Sequence, residues 1–232
     1  MKHIFKIAII AAFAFMLYPL VKNFNGNEQL SDLANFYAQQ ENIEKVNSAN
    51  IVTAVVVTYR GLDTLGEVTI LFLTAAIIAF FLKKQSGERN RRTNSEIFQT
   101  ASKVIIPVII MVGVYIFING HLSPGGGFQG GAVIASSVIL LILAFPEKQF
   151  NHKLFTIMES TSGLVFVGLA MLGALIGSGF LDNAILPLGT FGELLSAGAI
   201  PVIYSFVGLK VGAELSNLLN GFQSVQSDSE CN

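Results

Sequence analysis

The feature that most constrains this chain is a series of apolar runs, each set apart from the next by a polar or glycine-rich break. They extend over Ile4 to Val21, Leu65 to Leu82, Val104 to Ile118, Gln129 to Phe145, Phe155 to Gly177 and Leu194 to Leu215. A helix needs about 20 apolar residues to cross the hydrocarbon core of a bilayer. The runs therefore predict an all-α, polytopic membrane protein with about six transmembrane helices. Composition agrees: with 52% hydrophobic residues, 12% charged and a mean hydropathy of +0.62, a chain of 232 residues is too apolar for a soluble domain. The first run follows a basic start and lacks a small-x-small cleavage box, so it reads as an uncleaved helix rather than a signal peptide.

The breaks between the runs carry the topology. Placing both termini in the cytoplasm puts Lys2, Lys6, Lys83, Lys84, Arg89, Arg91, Arg92, Lys103, Lys148 and Lys153 inside, and leaves Lys22, Lys45 and Arg60 outside. The basic linker Lys83 to Arg92 thus reads as a positive-inside signal of a cell-membrane protein and not as a nucleic-acid patch. From Asn23 to Asn50 the chain is polar, with Leu30, Leu33, Phe36 and Tyr37 near helical spacing, as in a short amphipathic helix. The β-branched run from Ile51 is too short to span a bilayer and predicts a strand or an interfacial segment.

Between the third and fourth runs lies Asn119-Gly120-His121-Leu122-Ser123-Pro124-Gly125-Gly126-Gly127-Phe128-Gln129-Gly130-Gly131. A flexible turn explains glycines alone. Three in a row cost backbone entropy on ordering, and are best explained where the chain needs positive φ or a very close backbone approach. His121, Pro124, Phe128 and Gln129 at fixed offsets argue for a shaped loop.

The run His121 to Gly131 resembles the signature of the MnhB-type subunit of the Mrp (Mnh) multisubunit cation/proton antiporters, a module that recurs in membrane-bound hydrogenases. Upstream, Tyr59-Arg60-Gly61-Leu62-Asp63-Thr64-Leu65-Gly66-Glu67 is similar to an element at the C-terminal end of the large antiporter subunit, found as a small separate polypeptide in membrane-bound hydrogenases. The resemblance implies two neighbouring subunits joined end to end: residues 1–92 as a two-helix module and 93–232 as a four-helix, MnhB-like domain. It further implies a noncatalytic membrane subunit of a Na+/H+ antiporter, or of the ion-translocating arm of a hydrogenase-like complex. The partners it implies are other membrane subunits, Na+, H+ and the lipid bilayer. The fused front end departs from a plain antiporter and points toward the hydrogenase-type or a split-subunit arrangement.

Charges at or inside the runs are the remaining functional candidates, because an unpaired charge costs roughly 2.5 to 3.5 kcal/mol on insertion scales. Asp63 reads as the N-cap of the second helix and Glu67 as a first-turn acid complementing its dipole. Lys210 and Glu214, spaced i,i+4, can neutralise each other. Glu159 and Glu193 fall at the starts of the fifth and sixth helices, where they either complement the dipole or line a hydrated ion route. His121 is either a hydrogen-bonded loop residue or a proton carrier, since its ordinary pKa near 6.5 lies in the working range. Together with Thr64 and the loop residues Pro124, Gly125, Gly126, Gly127, Phe128 and Gln129, these are the ion-pathway or subunit-junction candidates. Cys231 is the single cysteine, and His3 and His152 lie far from His121, so no metal or cofactor site is expected. Gly163, Gly168, Gly173, Gly177, Gly192, Ala197 and Gly198 give small-residue faces suited to close helix packing. Two rivals remain: a structural scaffold subunit that carries no ion, and a standalone secondary transporter.

Overall fold

A computed structural model describes residues 2–22, 31–39, 44–82, 94–146 and 152–226, and all regular structure among them is helical. The expected linker basics Lys83, Lys84, Arg89, Arg91 and Arg92, with Lys148 and Cys231, lie outside the described residues. The chain divides into two compact units, 1–36 and 37–232. In the first, α1 (Lys2–Lys22) is one continuous helix with Pro19 near its end, and α2 (Asp32–Ala38) begins in the polar segment that follows.

The second unit starts with a surprise. The β-branched run, expected as a strand or an interfacial segment, is no strand but helical: a single α-turn, α3 (Ile51–Thr53), continues as a π-helix over Ala54–Tyr59. Strand propensity loses here because one face of the segment is buried, with Thr53, Ala54 and Val57 all below 5% exposure. Asn50 starts the helix by accepting from the amides of Val52 and Thr53. The wider winding ends where the Arg60 amide reaches the Val55 carbonyl, and the hydroxyl of Thr64 takes up the carbonyl of Val56 at 2.9 Å.

The long helices follow: α4 (Gly61–Phe81), α5 (Glu96–Ile118), α6 (Gly127–Ala144), α7 (His152–Ile176) and α8 (Ile200–Gln226). Each is long and apolar enough to cross a membrane, so the chain is a multi-pass membrane protein. The α1 helix spans the first apolar run of the sequence, with Ile9–Pro19 as its apolar stretch.

Two expected helix starts move. α4 begins at Gly61, so Asp63 is not the cap; it lies in the first turn and pairs with the side chain of Arg60. α8 begins at Ile200 instead of Leu194. Ala197 (φ +63°) and Gly198 (φ +60°) hold the left-handed conformation just before it, and Pro201 is pre-set for a first helical turn. Glu193 therefore sits in a turn and has no helix dipole to complement.

α8 organises the bundle. It packs against α4, α5, α6 and α7, and α6 is sandwiched between α5 and α8. The core forms along it, with Ile200, Ile203, Val207 and Val211 buried against Val57, Val68, Phe166 and Leu181. Two adjacent glycines let α6 approach both neighbours. A Cβ on Gly130 would stand 2.6 Å from the Gly113 carbonyl of α5, and one on Gly131 would stand 2.8 Å from the Gly208 carbonyl of α8. Successive helical residues point about 100° apart, so each glycine serves a different neighbour.

Candidate functional site

The glycine-rich loop is tightly built. Tyr204 of α8 occupies its centre, and a Cβ on Gly120 would lie 2.6 Å from the tyrosine ring. Gly125 adopts φ +155°, with the Ile116 carbonyl 3.1 Å from where a Cβ would stand, and Gly127 is pressed against Val207. Phe128 packs on the core while Pro124 and Gln129 are exposed.

Polar side chains from the preceding segment hold the loop from outside. Asn50 donates to the carbonyls of Gly120 and Ser123 at 2.9 and 3.0 Å, and its own amide donates to the His121 carbonyl at 2.9 Å. Ser48 donates to the same His121 carbonyl, and Thr53 donates to Gly120 at 2.6 Å while standing 3.3 Å from the Tyr204 hydroxyl. Two further asparagines tie in the connection before α8. Asn183 donates to the carbonyls of Val46 and Ala197, and Asn47 donates to those of Leu188 and Gly189. Three loops distant in sequence thus form one cap over an end of the bundle.

His121 is fully buried in this cap, its Nε2 3.3 Å from the Glu193 carbonyl. Burial pushes its pKa below the ordinary value, and the Glu193 and Ile118 carbonyls oppose the shift only partly. The native state therefore binds less proton than the unfolded chain just below the ordinary pKa, and stability falls as pH drops through about 6.5. The melting temperature of the purified protein is expected to decrease on acidification through that window, and the decrease is expected to shrink in His121→Gln. An equal decrease in both proteins would remove His121 as its cause. Glu193 meets His121 through its backbone; its side chain is exposed.

A second group lies within the helices. Lys210 Nζ is 2.9 Å from Glu214 Oε2, with side chains 9% and 1% exposed, and 5.1 Å from the centre of the Phe72 ring. Glu159 of α7 joins them: Asn217, one turn beyond Glu214 on α8, donates to its Oε2 at 3.1 Å. Asp63 and Glu67 are exposed on α4, and Thr64 is buried and committed to the Val56 carbonyl. The candidates are thus divided among the cap, the α7–α8 charges and the α4 surface. Among the described residues, no group of three or more His, Cys, Asp or Glu side chains is placed to hold a metal.

Comparison with known proteins bears on both halves. Residues 97–217, more than half of the chain, match the family described as a domain related to the MnhB subunit of Na+/H+ antiporters. This chain belongs to the MnhB-related family. Residues 2–104 match a second family, MbhE, described as a subunit of MBH. An uncharacterised protein of Methanocaldococcus jannaschii is 32% identical over 72% of this chain and 74% of its own length. The B-type subunit of the Na(+)/H(+) antiporter of Bacillus subtilis is 37% identical over 40% of this chain and 67% of its own. A chain from the structure of the membrane-bound sulfane sulfur reductase, an archaeal respiratory membrane complex, is 35% identical, with a TM-score of 0.80. That match covers 95% of this chain and 97% of the other.

The MnhB-type signature accordingly corresponds to the loop around Tyr204 and the first turn of α6. Sequence reasoning missed the residues that hold it, Ser48, Asn50, Thr53 and Tyr204, and missed Asn183 in the connection before α8 and Asn217 beside Glu159. The cluster Asn47-Ser48-Ala49-Asn50 was a signal available in the chain, since side chains of this kind satisfy loop and helix-end backbone.

Proposed function

We infer that this chain is a noncatalytic membrane subunit of an Mnh/Mrp-type antiporter or of a membrane-bound hydrogenase-like respiratory complex that moves Na+ or H+. Both termini face the cytoplasm and the cap lies toward the outer face, in accord with the distribution of Lys and Arg. The respiratory arrangement is the better supported of the two. The observation that carries this is the 35%-identical chain of the sulfane sulfur reductase complex, which corresponds to this one over nearly its whole length, whereas the Bacillus subtilis antiporter protein matches 40% of it. Residues 1–92 and 93–232 act as two subunit-like modules in one polypeptide, in keeping with the two families that match successive stretches.

The helices leave much apolar surface for neighbours: only 11% of the α4 span and 22% of the α5 span is buried within the chain. Glu67, exposed on α4, belongs against another subunit or a hydrated path, since a charge facing lipid is costly. The test is mild detergent purification through a tag on this chain, with identification of what accompanies it. Redox subunits together with antiporter-like subunits are the expected result. Antiporter subunits alone would overturn the respiratory reading, and a lone, transport-competent monomer would overturn the complex-subunit reading as a whole.

A further inference from the structure

We propose that Glu214 and Glu159, with Lys210 and Asn217, form a binding site for one monovalent cation, a proton or Na+, beside the cleft between α4, α7 and α8. The proposal rests on the ion-translocating reading of the chain. Its first support is charge. Two carboxylates, Glu214 buried and Glu159 partly buried, and one ammonium leave a net charge of minus one at the cluster, and burying an uncompensated charge is costly. Among the described residues the ionisable groups here are Lys210 and Glu214 on α8 and Glu159 on α7; α4 faces the cleft with Leu65, Val68, Thr69 and Phe72, none of them ionisable. One further monovalent cation makes the cluster neutral.

The second support is an unmet acceptor. Glu214 Oε2 is taken by Lys210, but Oε1 is fully buried and has no hydrogen-bond partner among the described residues. A buried carboxylate oxygen left this way carries its full desolvation cost, and a bound proton or metal cation removes it. Asn217, one turn beyond Glu214 on the same helix, fixes Glu159 of α7 by donating to one of its oxygens.

The third support is access. A cleft of about 310 Å3 is lined by Glu159 and Lys210 together with Leu65, Thr69, Phe72 and Gly163. It gives an entering cation a route to Glu159 and to the ammonium that pairs with Glu214. The Phe72 ring is a second favourable seat for that ammonium, so Lys210 has two cation-accepting neighbours between which to shift as the carboxylates fill and empty.

The test uses the intact complex in lipid, comparing wild type with Glu214→Gln and with Glu159→Gln. Glu159 is only partly buried, so its variant keeps the question open to measurement if Glu214→Gln fails to assemble. Infrared difference spectra against pH read buried carboxylic acids, and radiolabelled sodium reads bound Na+. A proton occupant predicts the loss of one carboxylic-acid signal per chain in the assembled variants, unaffected by exchanging K+ for Na+. A sodium occupant predicts the loss of one equivalent of bound sodium per chain. If neither signal changes in an assembled variant, the site does not exist, even where the complex transports cations. If the complex transports no cation yet one of these signals is lost, the transport reading fails and the site stands.

Discussion

Replacing Gly130 with leucine is expected to cost about 3 kcal/mol or more, at the upper end of what overpacking does in a close-packed interior. The first added carbon would stand 2.6 Å from a backbone oxygen, that of Gly113, and 3.0 Å from the side chain of Phe117. A backbone atom cannot swing aside as a side-chain tip can. The contact is mutual, because a Cβ on Gly113 would stand 2.9 Å from the Gly130 carbonyl. The two helices touch main chain to main chain, and leucine can enter only by moving α5 and α6 apart. Gly168 is the control, since a Cβ there meets nothing within 4 Å of it in the chain. The measurement is the detergent-stable yield and melting temperature of Gly130→Leu against Gly168→Ala; equal values would show that α5 and α6 do not need this approach.

Lys210→Met is expected to cost about 3–5 kcal/mol, because it strips the cation from a buried carboxylate without removing the carboxylate. Glu214 is 1% exposed and is thus shielded from bulk solvent. The double variant Lys210→Met, Glu214→Leu removes both charges and is expected to recover most of the loss, since an apolar pair often replaces a buried ion pair at little cost. Melting temperatures of the parent, the single variant and the double variant decide this. A double variant no better than the single one would mean that the lysine stem matters more than its charge.

How legible these features are in the sequence depends on how far apart their causes lie. The long helices follow from apolar runs, and the Lys210–Glu214 pair follows from a four-residue spacing; both are local signals, and both hold. The segment from Ile51 to Tyr59 misleads because its β-branched residues favour a strand, whereas its fate is settled by Thr53, Ala54 and Val57 facing a core built elsewhere in the chain. The start of α8 slips by six residues because hydrophobic character continues through Leu194 and Leu195, and only the left-handed turn at Ala197 and Gly198 separates loop from helix.

The glycine signature is a mixed case. Its need for close backbone approach is readable: Gly126 and Gly127 do press on Tyr204 and Val207, and Gly125 on Ile116. That Gly130 and Gly131 face two different helices emerges only when α6 has a neighbour on each side. The asparagine contacts are beyond reach from spacing, since Asn50 bonds to residues 70 and 73 positions away and Asn183 to one 137 away. The bond from Asn217 of α8 to Glu159 of α7, 58 positions away, is hidden for the same reason.

The asparagine cap bears on how the segment before α4 is held to the loop between α5 and α6. Asn50, Ser48 and Thr53 grip the loop at Gly120 to Ser123 through backbone carbonyls, and Asn183 reaches back to Val46 in the same way. Contacts of this kind do not require the partners to be covalently continuous. They position the segment before α4 against the loop between α5 and α6 independently of the peptide connection between α4 and α5. If residues 1–92 and 93–232 act as the two modules proposed above, the peptide connection between α4 and α5 has a numerical consequence: one act of synthesis supplies both in equal number.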